Sequence, residues 1–223
     1  MRRPIGKRIL IYLFLFVIVC SINNTALTSI KLESVKEIKI VGLGKDENLN
    51  LLDAIENLNL KNIFFLKKEE ISKIIDSNSL VENYEIFKKY PSTLNIKIRK
   101  TEFLARINID GKISLIGSNG KLSETKFSDN DLPFIFGKPM ISEFLKLKNI
   151  IDQSSFPIQD IRNLYFFPSK RWDIELKDNI ILKLPKNNIL LALNYAFKIL
   201  NDTNFKDIRV VDTRIKNQII LND

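Results

Sequence analysis

The chain has 223 residues, 45% apolar and 27% charged, a composition of folded globular material with room for two modest domains. Histidine is absent and the only cysteine is Cys20, which excludes Cys/His zinc sites, Ser-His-Asp triads and Cys-His nucleophilic pairs; carboxylate-only metal binding and two-carboxylate acid/base chemistry stay open. The net charge of +9 comes from an N-terminal group (Arg2, Arg3, Lys7, Arg8) and from scattered lysines without interleaved aromatics, so it reads as a solvated surface and not as a nucleic-acid footprint.

From Ile9 to Ile30 the sequence carries no charge, and as a helix this stretch would reach about 33 Å, enough to cross a hydrocarbon core. The basic residues before it keep the short tail in the cytoplasm by the positive-inside rule and export the remainder. The competing expectation is a cleaved signal peptide, since the densest apolar run ends near Ile22, ahead of Asn23-Asn24-Thr25-Ala26. Val19 before Cys20 is too bulky for a good lipoprotein box. A cysteine-free body suits an oxidising compartment.

Glu37 to Val41 alternates as a strand, with Ile38 and Ile40 on one face. Gly42-Leu43-Gly44 breaks it, and Leu51, Leu52, Ile55 and Leu58 then form a helical stripe. Strand, two glycines and helix make half of a dinucleotide fingerprint, but Glu47 stands where the third glycine belongs and would repel a pyrophosphate. Ile63 to Leu66 is an apolar bridge, and a second helix starts near Glu69 with Ile71, Ile74 and Ile75 on one side. Val81 to Tyr90 reads as a strand, Tyr90-Pro91-Ser92 turns the chain, and Thr93 to Arg99 alternates with Leu94, Ile96 and Ile98 inward.

Short strand signals follow Ala105-Arg106-Ile107, with Asn119-Gly120 as a turn, then Leu132 to Gly137. A helix from Ser142 places Phe144, Leu147 and Ile151 on one face. Arg171 to Lys177 alternates strictly, and Asp178-Asn179 is expected to make a two-residue turn into Ile180–Leu184. Leu190, Leu193, Phe197 and Leu200 mark another helix, and the chain closes with strands at Ile208–Arg214 and Asn217–Leu221.

The run from Ser34 to Gly42, two helices, and Tyr90-Pro91-Ser92-Thr93-Leu94-Asn95-Ile96 resembles a POTRA domain of the bacterial cell-division FtsQ/DivIB family. Arg171-Trp172, hairpin, helix, Val211-Asp212-Thr213-Arg214 and a final strand are similar in order to that family's β domain. Lys100 and Phe103 stand where the family usually has an acid and a proline, and Thr213 replaces the leucine of Val-Asp-Leu-Arg. The resemblance implies an α+β chain: cytoplasmic tail 1–8, single transmembrane helix 9–30, β-α-α-β-β POTRA domain 31–102, and a mixed or antiparallel β domain 103–223 with two helices.

It also implies a non-catalytic divisome scaffold of the inner membrane, at the septum, that needs no cofactor or metal and links early and late division proteins to septal peptidoglycan synthesis by binding FtsB and FtsL. The expected contact is β-strand addition at the C-terminal edge, where the last strand ends two residues before the terminus and no later strand follows to cover it. The partner-binding residues implied are Arg171, Trp172, Arg214, Ile215, Lys216, Asn217, Gln218, Ile219, Ile220 and Leu221, with the two arginines facing acidic groups. The alternative is that Arg214 pairs only with Asp212 or another local acid and that the last strand is ordinary structure. Two other functions compete: a POTRA adaptor for outer-membrane assembly or secretion, and an anchored cell-wall hydrolase using Asp173 and Glu175, two apart on one strand face.

Overall fold

The computed structural model describes residues 6–21, 34–58, 60, 62–124, 131–204, 207–215 and 218–222. Helix α1 (Lys7–Ser21) carries an unbroken apolar run from Ile9 to Val19, all of it exposed. No helix among the described residues is long and apolar enough to cross a membrane. The expected span of 9–30 continues into residues 22–30, which lie outside the described residues.

The first folded unit comprises β1 (Glu37–Val41), α2 (Lys45–Glu56), α3 (Lys68–Ser77), β2 (Val81–Lys89) and β3 (Thr93–Lys100). Its sheet order is β1-β3-β2, with β1 parallel and β2 antiparallel to the central β3. Leu51 and Ile55 of α2 and Ile71 and Ile75 of α3 pack with Leu94, Ile96 and Ile98 of β3 in one core. These are the apolar positions that helical and alternating spacing select. Strand β2 departs from simple alternation: both Val81 and Ile86 are buried although their parities differ. A register shift between Val81 and Asn83 inserts the extra residue that reconciles them.

Gly42 ends β1 at φ +122°, and a Cβ there would fall 1.7 Å from the carbonyl oxygen of Ile98. The glycine thus permits the close approach of this turn to β3. Asn48 then ties the turn down, its Nδ2 donating to the Leu43 carbonyl at 3.1 Å. The Gly-x-Gly feature therefore has a packing explanation.

The second unit contains β4 (Phe103–Ile109), β5 (Lys112–Gly117), β6 (Leu122–Ser123), β7 (Phe134–Phe136), α4 (Ile141–Gln153), β8 (Ile161–Phe166), β9 (Trp172–Leu176), β10 (Ile181–Lys183), α5 (Ile189–Leu200), β11 (Val210–Asp212) and β12 (Ile220–Asn222). Together the strands form a nine-stranded mixed sheet ordered β12-β11-β10-β9-β8-β7-β4-β5-β6. Helix α4 buries Phe144, Leu147 and Ile151, the three residues its spacing selects. Helix α5 presents Ala192, Leu193 and Ala196 most deeply, while Phe197 and Leu200 pack at the margin of the same core. Its closest face is therefore built on alanines, which a search for large apolar residues passes over.

Three expectations are corrected in extent. The β9–β10 connection is a three-residue loop, because Leu176 N–H donates to the Ile180 carbonyl and Asn179 takes a left-handed φ of 65°. Lys177 joins Asp178 and Asn179 in the loop, a turn followed by a left-handed residue that closes the hairpin. Strand β11 covers only Val210–Asp212 of the expected Ile208–Arg214. The last strand is Ile220–Asn222 instead of Asn217–Leu221; Lys216 and Asn217 lie outside the described residues.

The junction between the units is hydrogen-bonded. Thr101 N–H donates to the Leu80 carbonyl at 2.8 Å. Asn119 Nδ2 reaches the carbonyls of Ser79 and Val81 at 2.9 and 2.8 Å, and Ser118 Oγ donates to Glu82 Oε2 at 2.6 Å. The Asn119-Gly120 turn is thus also a contact between the two units.

Candidate partner-binding edge of the second sheet

Strand β12 lies at one end of the nine-stranded sheet and pairs only with β11 among the described residues. Its register sets Val210 against Asn222, Val211 against Leu221 and Asp212 against Ile220. Two kinds of row cross the sheet here, because in-register neighbours share a face. Ile174, Leu182, Val211 and Leu221 form one row, and the first three are fully or almost fully buried in the core. Asp173, Lys183, Asp212 and Ile220 form the next row, on the opposite face. This second row alternates acid, base and acid before ending on Ile220, which is 50% exposed.

The sequence Val211-Asp212-Thr213-Arg214 builds the neighbourhood of that edge residue by residue. Val211 anchors β11 in the core. Thr213 donates both its N–H and its hydroxyl to the Lys183 carbonyl at 2.9 Å, which fixes the end of β11 against β10. Asp212 accepts the Arg214 backbone N–H at 3.1 Å, and its two carboxylate oxygens accept Arg214 Nε at 2.8 and 2.9 Å. A further bond from Arg214 Nη2 completes a two-pronged ion pair. The local pairing of Arg214 is therefore present in the structure. The side chain is still 40% exposed and remains accessible from solvent.

Arg171 approaches the same face. Its Nε lies 3.3 Å from Asp173 Oδ1, and its guanidinium sits 4.6 Å above the Phe167 ring. Trp172 points the other way: it is 4% exposed, packed against Phe166 inside the core. The expectation that Trp172 touches a partner is corrected here, because strand alternation sends it into the core while Arg171 and Asp173 lie on the opposite face, with Asp173 itself buried beside Arg171. Trp172 holds the strand in place.

Ile215, Gln218 and Ile219 lie in the segment between β11 and β12, and all three are exposed. Gln218 N–H donates to the Ile215 carbonyl at 3.2 Å, so that donor is engaged in a turn. Leu221 faces inward and is partly buried against the core. The structure thus gathers Ile215, Ile219, Ile220 and Arg214 at one sheet edge and brings Arg171 onto the same outer face. Lys183 is the residue the sequence reading missed; only the strand order, which puts β10 between β9 and β11, reveals it.

Both carboxylates offered for hydrolysis are engaged by neighbouring side chains, Asp173 by the Arg171 guanidinium at 3.3 Å. Glu175 Oε2 accepts from Asn163 Nδ2 at 2.9 Å and from the Tyr165 hydroxyl at 2.6 Å. Those donors hold the Glu175 carboxyl below its ordinary range. Burial raises that of Asp173, against the opposing effect of Arg171. A cavity of about 450 Å³ between α5 and the β9–β10 loop is lined by Phe156, Asp160, Leu176 and Phe197, and neither carboxylate faces it.

Acid should weaken this unit, with Asp212 as a contributor. Hydrogen bonds from Arg214 hold the Asp212 carboxyl low, so its contribution is present above the unfolded value and is lost as pH falls through the folded one. Asp173 runs the other way: its raised carboxyl contributes only in the protonated state, and that contribution disappears as pH rises. Denaturation midpoints should therefore fall below about pH 4, and Asp212→Asn should flatten that limb of the profile. An unchanged slope in Asp212→Asn would show that the pair contributes nothing to acid sensitivity.

Comparison with known proteins agrees with this architecture. The family described as "Cell division protein FtsQ/DivIB, C-terminal" matches residues 105–214, and "POTRA domain, FtsQ-type" matches residues 33–100. The chain is 26% identical to cell division protein FtsQ of Rickettsia prowazekii (strain Madrid E) over 191 residues, covering 82% of this chain and 70% of that protein. Identity to FtsQ of Rickettsia bellii (strain RML369-C) is 28% over 193 residues, covering 77% and 67% of the two chains. Cell division protein DivIB of Clostridium botulinum (strain Loch Maree / Type A3) is 27% identical over 229 residues, covering 90% and 85%. A POTRA domain followed by a β-rich domain, both matched in chain order, places this chain in the FtsQ/DivIB family, the scaffold proteins of the bacterial cell-division machinery.

Proposed function

We propose that this chain is held in the inner membrane by residues 9–30, with residues 1–8 in the cytoplasm, and that its exported part binds FtsB and FtsL at the septum without catalysing a reaction. The observation that carries the proposal is the outer edge of β12, unpaired among the described residues, with Ile220 exposed on it and Arg214 beside it. An incoming strand gains backbone hydrogen bonds from such an edge, while side chains on the outer face select the partner. Arg214, exposed beside that edge, and Arg171 on the same face favour an acidic one. Thr101 to Ala105 is the proposed boundary between a POTRA domain (31–102) and the partner-binding domain (103–223). A scaffold needs no acid/base pair, and the local hydrogen bonds of Glu175 fit that reading.

The test has two parts. Depleting the protein should give cells that grow without septating; normal division would remove the scaffold role. Protease added to spheroplasts should digest everything beyond about residue 31, while the full-length chain resists carbonate extraction. A mature product beginning near Ala26 or Leu27 would replace the anchor with a cleaved signal.

A further inference from the structure

Three aromatic rings are held outward at one pole of the first unit. Phe64, Phe65 and Tyr90 are 51%, 77% and 56% exposed, and the rings of Phe64 and Tyr90 stack with centroids 4.6 Å apart. Their turn is well built. Asn62 Oδ1 accepts the Phe64 N–H at 2.8 Å, and the Asn62 carbonyl accepts that of Phe65 at 3.2 Å. Lys88 Nζ donates to the Leu66 carbonyl at 2.9 Å and Lys68 Nζ to the Ile86 carbonyl at 3.0 Å, joining the same segment to the end of β2. Rings left this far in water forgo part of the free energy that burial would give them. An ordered turn that displays them is a surface awaiting cover.

The fold says where this pole lies. Ser34 bridges to Asn62, and Lys36 N–H donates to the Ser92 carbonyl, so the chain enters the domain beside the aromatic turn. The second unit joins at the other end of the sheet, where Thr101 bonds to Leu80. Only residues 22–33 separate the end of apolar helix α1 from Ser34, a tether that reaches at most about 40 Å. Lys36, Lys67 and Lys89 are exposed around the pole; acids on the segments that form it are Glu37, which is paired with Lys39 at 3.0 Å, Glu56 at the end of α2, and Glu69 and Glu70 at the start of α3.

We infer that this pole, built on Phe64, Phe65 and Tyr90 with its collar of lysines, seats on the anionic lipid surface of the membrane that holds the chain. Tyr and Phe rings flanked by Lys suit the headgroup boundary, where the ring enters the apolar side and the ammonium meets lipid phosphate. The contact would make the first domain stand on the bilayer and fix the direction in which the second domain projects. This inference rests on the proposed anchoring by residues 9–30.

The test uses the full chain, carrying Cys20→Ser, in vesicles of phosphatidylethanolamine with phosphatidylglycerol. A polarity-sensitive fluorophore is placed at Ser34→Cys, beside the aromatic turn, or, at the opposite pole, at Ser77→Cys. Nitroxide-bearing lipids should quench the label at 34 and leave the label at 77 bright. The difference should shrink in phosphatidylcholine vesicles and vanish in the Phe64→Ser/Phe65→Ser/Tyr90→Ser variant, whose fold is checked by circular dichroism. A carbonate-resistant chain with equal emission at the two positions overturns the lipid surface and leaves the anchor standing, with a protein as the cover for these rings. If carbonate releases the chain, the anchor has failed. Flotation with phosphatidylglycerol vesicles that is lost in the triple variant would then still support the surface, and retained flotation would overturn it.

Discussion

Of the two variants Ile220→Pro and Leu221→Pro, one is expected to lose FtsB capture completely while keeping the wild-type circular-dichroism spectrum. Neighbouring residues of an antiparallel strand direct their N–H groups to opposite sides, so one of these donors faces β11 and the other faces the open edge. Removing the outward donor deletes a bond to the incoming strand and leaves the fold's own ladder intact. Removing the inward donor breaks the β11–β12 pairing and should lower stability as well. Gln218 is a poor site for this experiment, because its N–H already closes the turn to Ile215. Capture at wild-type affinity by both folded variants would move the partner site away from β12.

Arg214 needs a separate argument, because its fork is already engaged with Asp212. Arg214→Glu would set two carboxylates side by side, so a loss of binding could report local disruption alone. The cycle Asp212→Asn, Arg214→Gln and the double variant separates the two roles. An arginine that touches the partner gives a double variant that binds weakly and with reduced salt dependence. A merely local ion pair gives a double variant that binds as wild type.

Much of the fold is legible in the sequence because periodicity reports burial directly. Leu94, Ile96 and Ile98 alternate in β3, and Phe144, Leu147 and Ile151 repeat along α4; each set is buried as the spacing requires. The errors have equally local causes. The β2 bulge hides because Val81 and Ile86 each fit a strand until their parities are compared. Asn179 in a left-handed conformation stretches the hairpin loop by a residue, which a two-residue template cannot anticipate. The candidate edge was less legible than the cores. Its charged row takes Asp173 and Lys183 from the β9–β10 hairpin and Asp212 from β11, beyond helix α5, so Lys183 carries no signal until β10 is placed between β9 and β11. The family resemblance puts Trp172 among the partner-binding residues, whereas alternation along β9 turns it inward.

Gly42→Ala should unfold the first domain while the second stays folded. The substitution asks an L-residue to hold φ +122° and to place its Cβ 1.7 Å from a backbone oxygen of the central strand. Strain of this kind costs up to about 3 kcal/mol before the overlap is counted, a large share of the stability of a small domain. The oxygen belongs to Ile98, so relief requires β1 to separate from β3, whose Leu94 and Ile96 form the centre of the first core. The second core, around Phe144, Leu147 and Ile174, shares no buried residue with it. Hydrogen exchange on Gly42→Ala should therefore show the amides of β3 unprotected and those of α4 still protected. A wild-type unfolding midpoint would overturn the account of Gly42. Loss of protection in both domains together would mean that the Asn119 and Ser118 bonds across the junction make one cooperative unit of the two. The proposed boundary between Thr101 and Ala105 would then mark a change of sheet within a single folding unit and not a division between two.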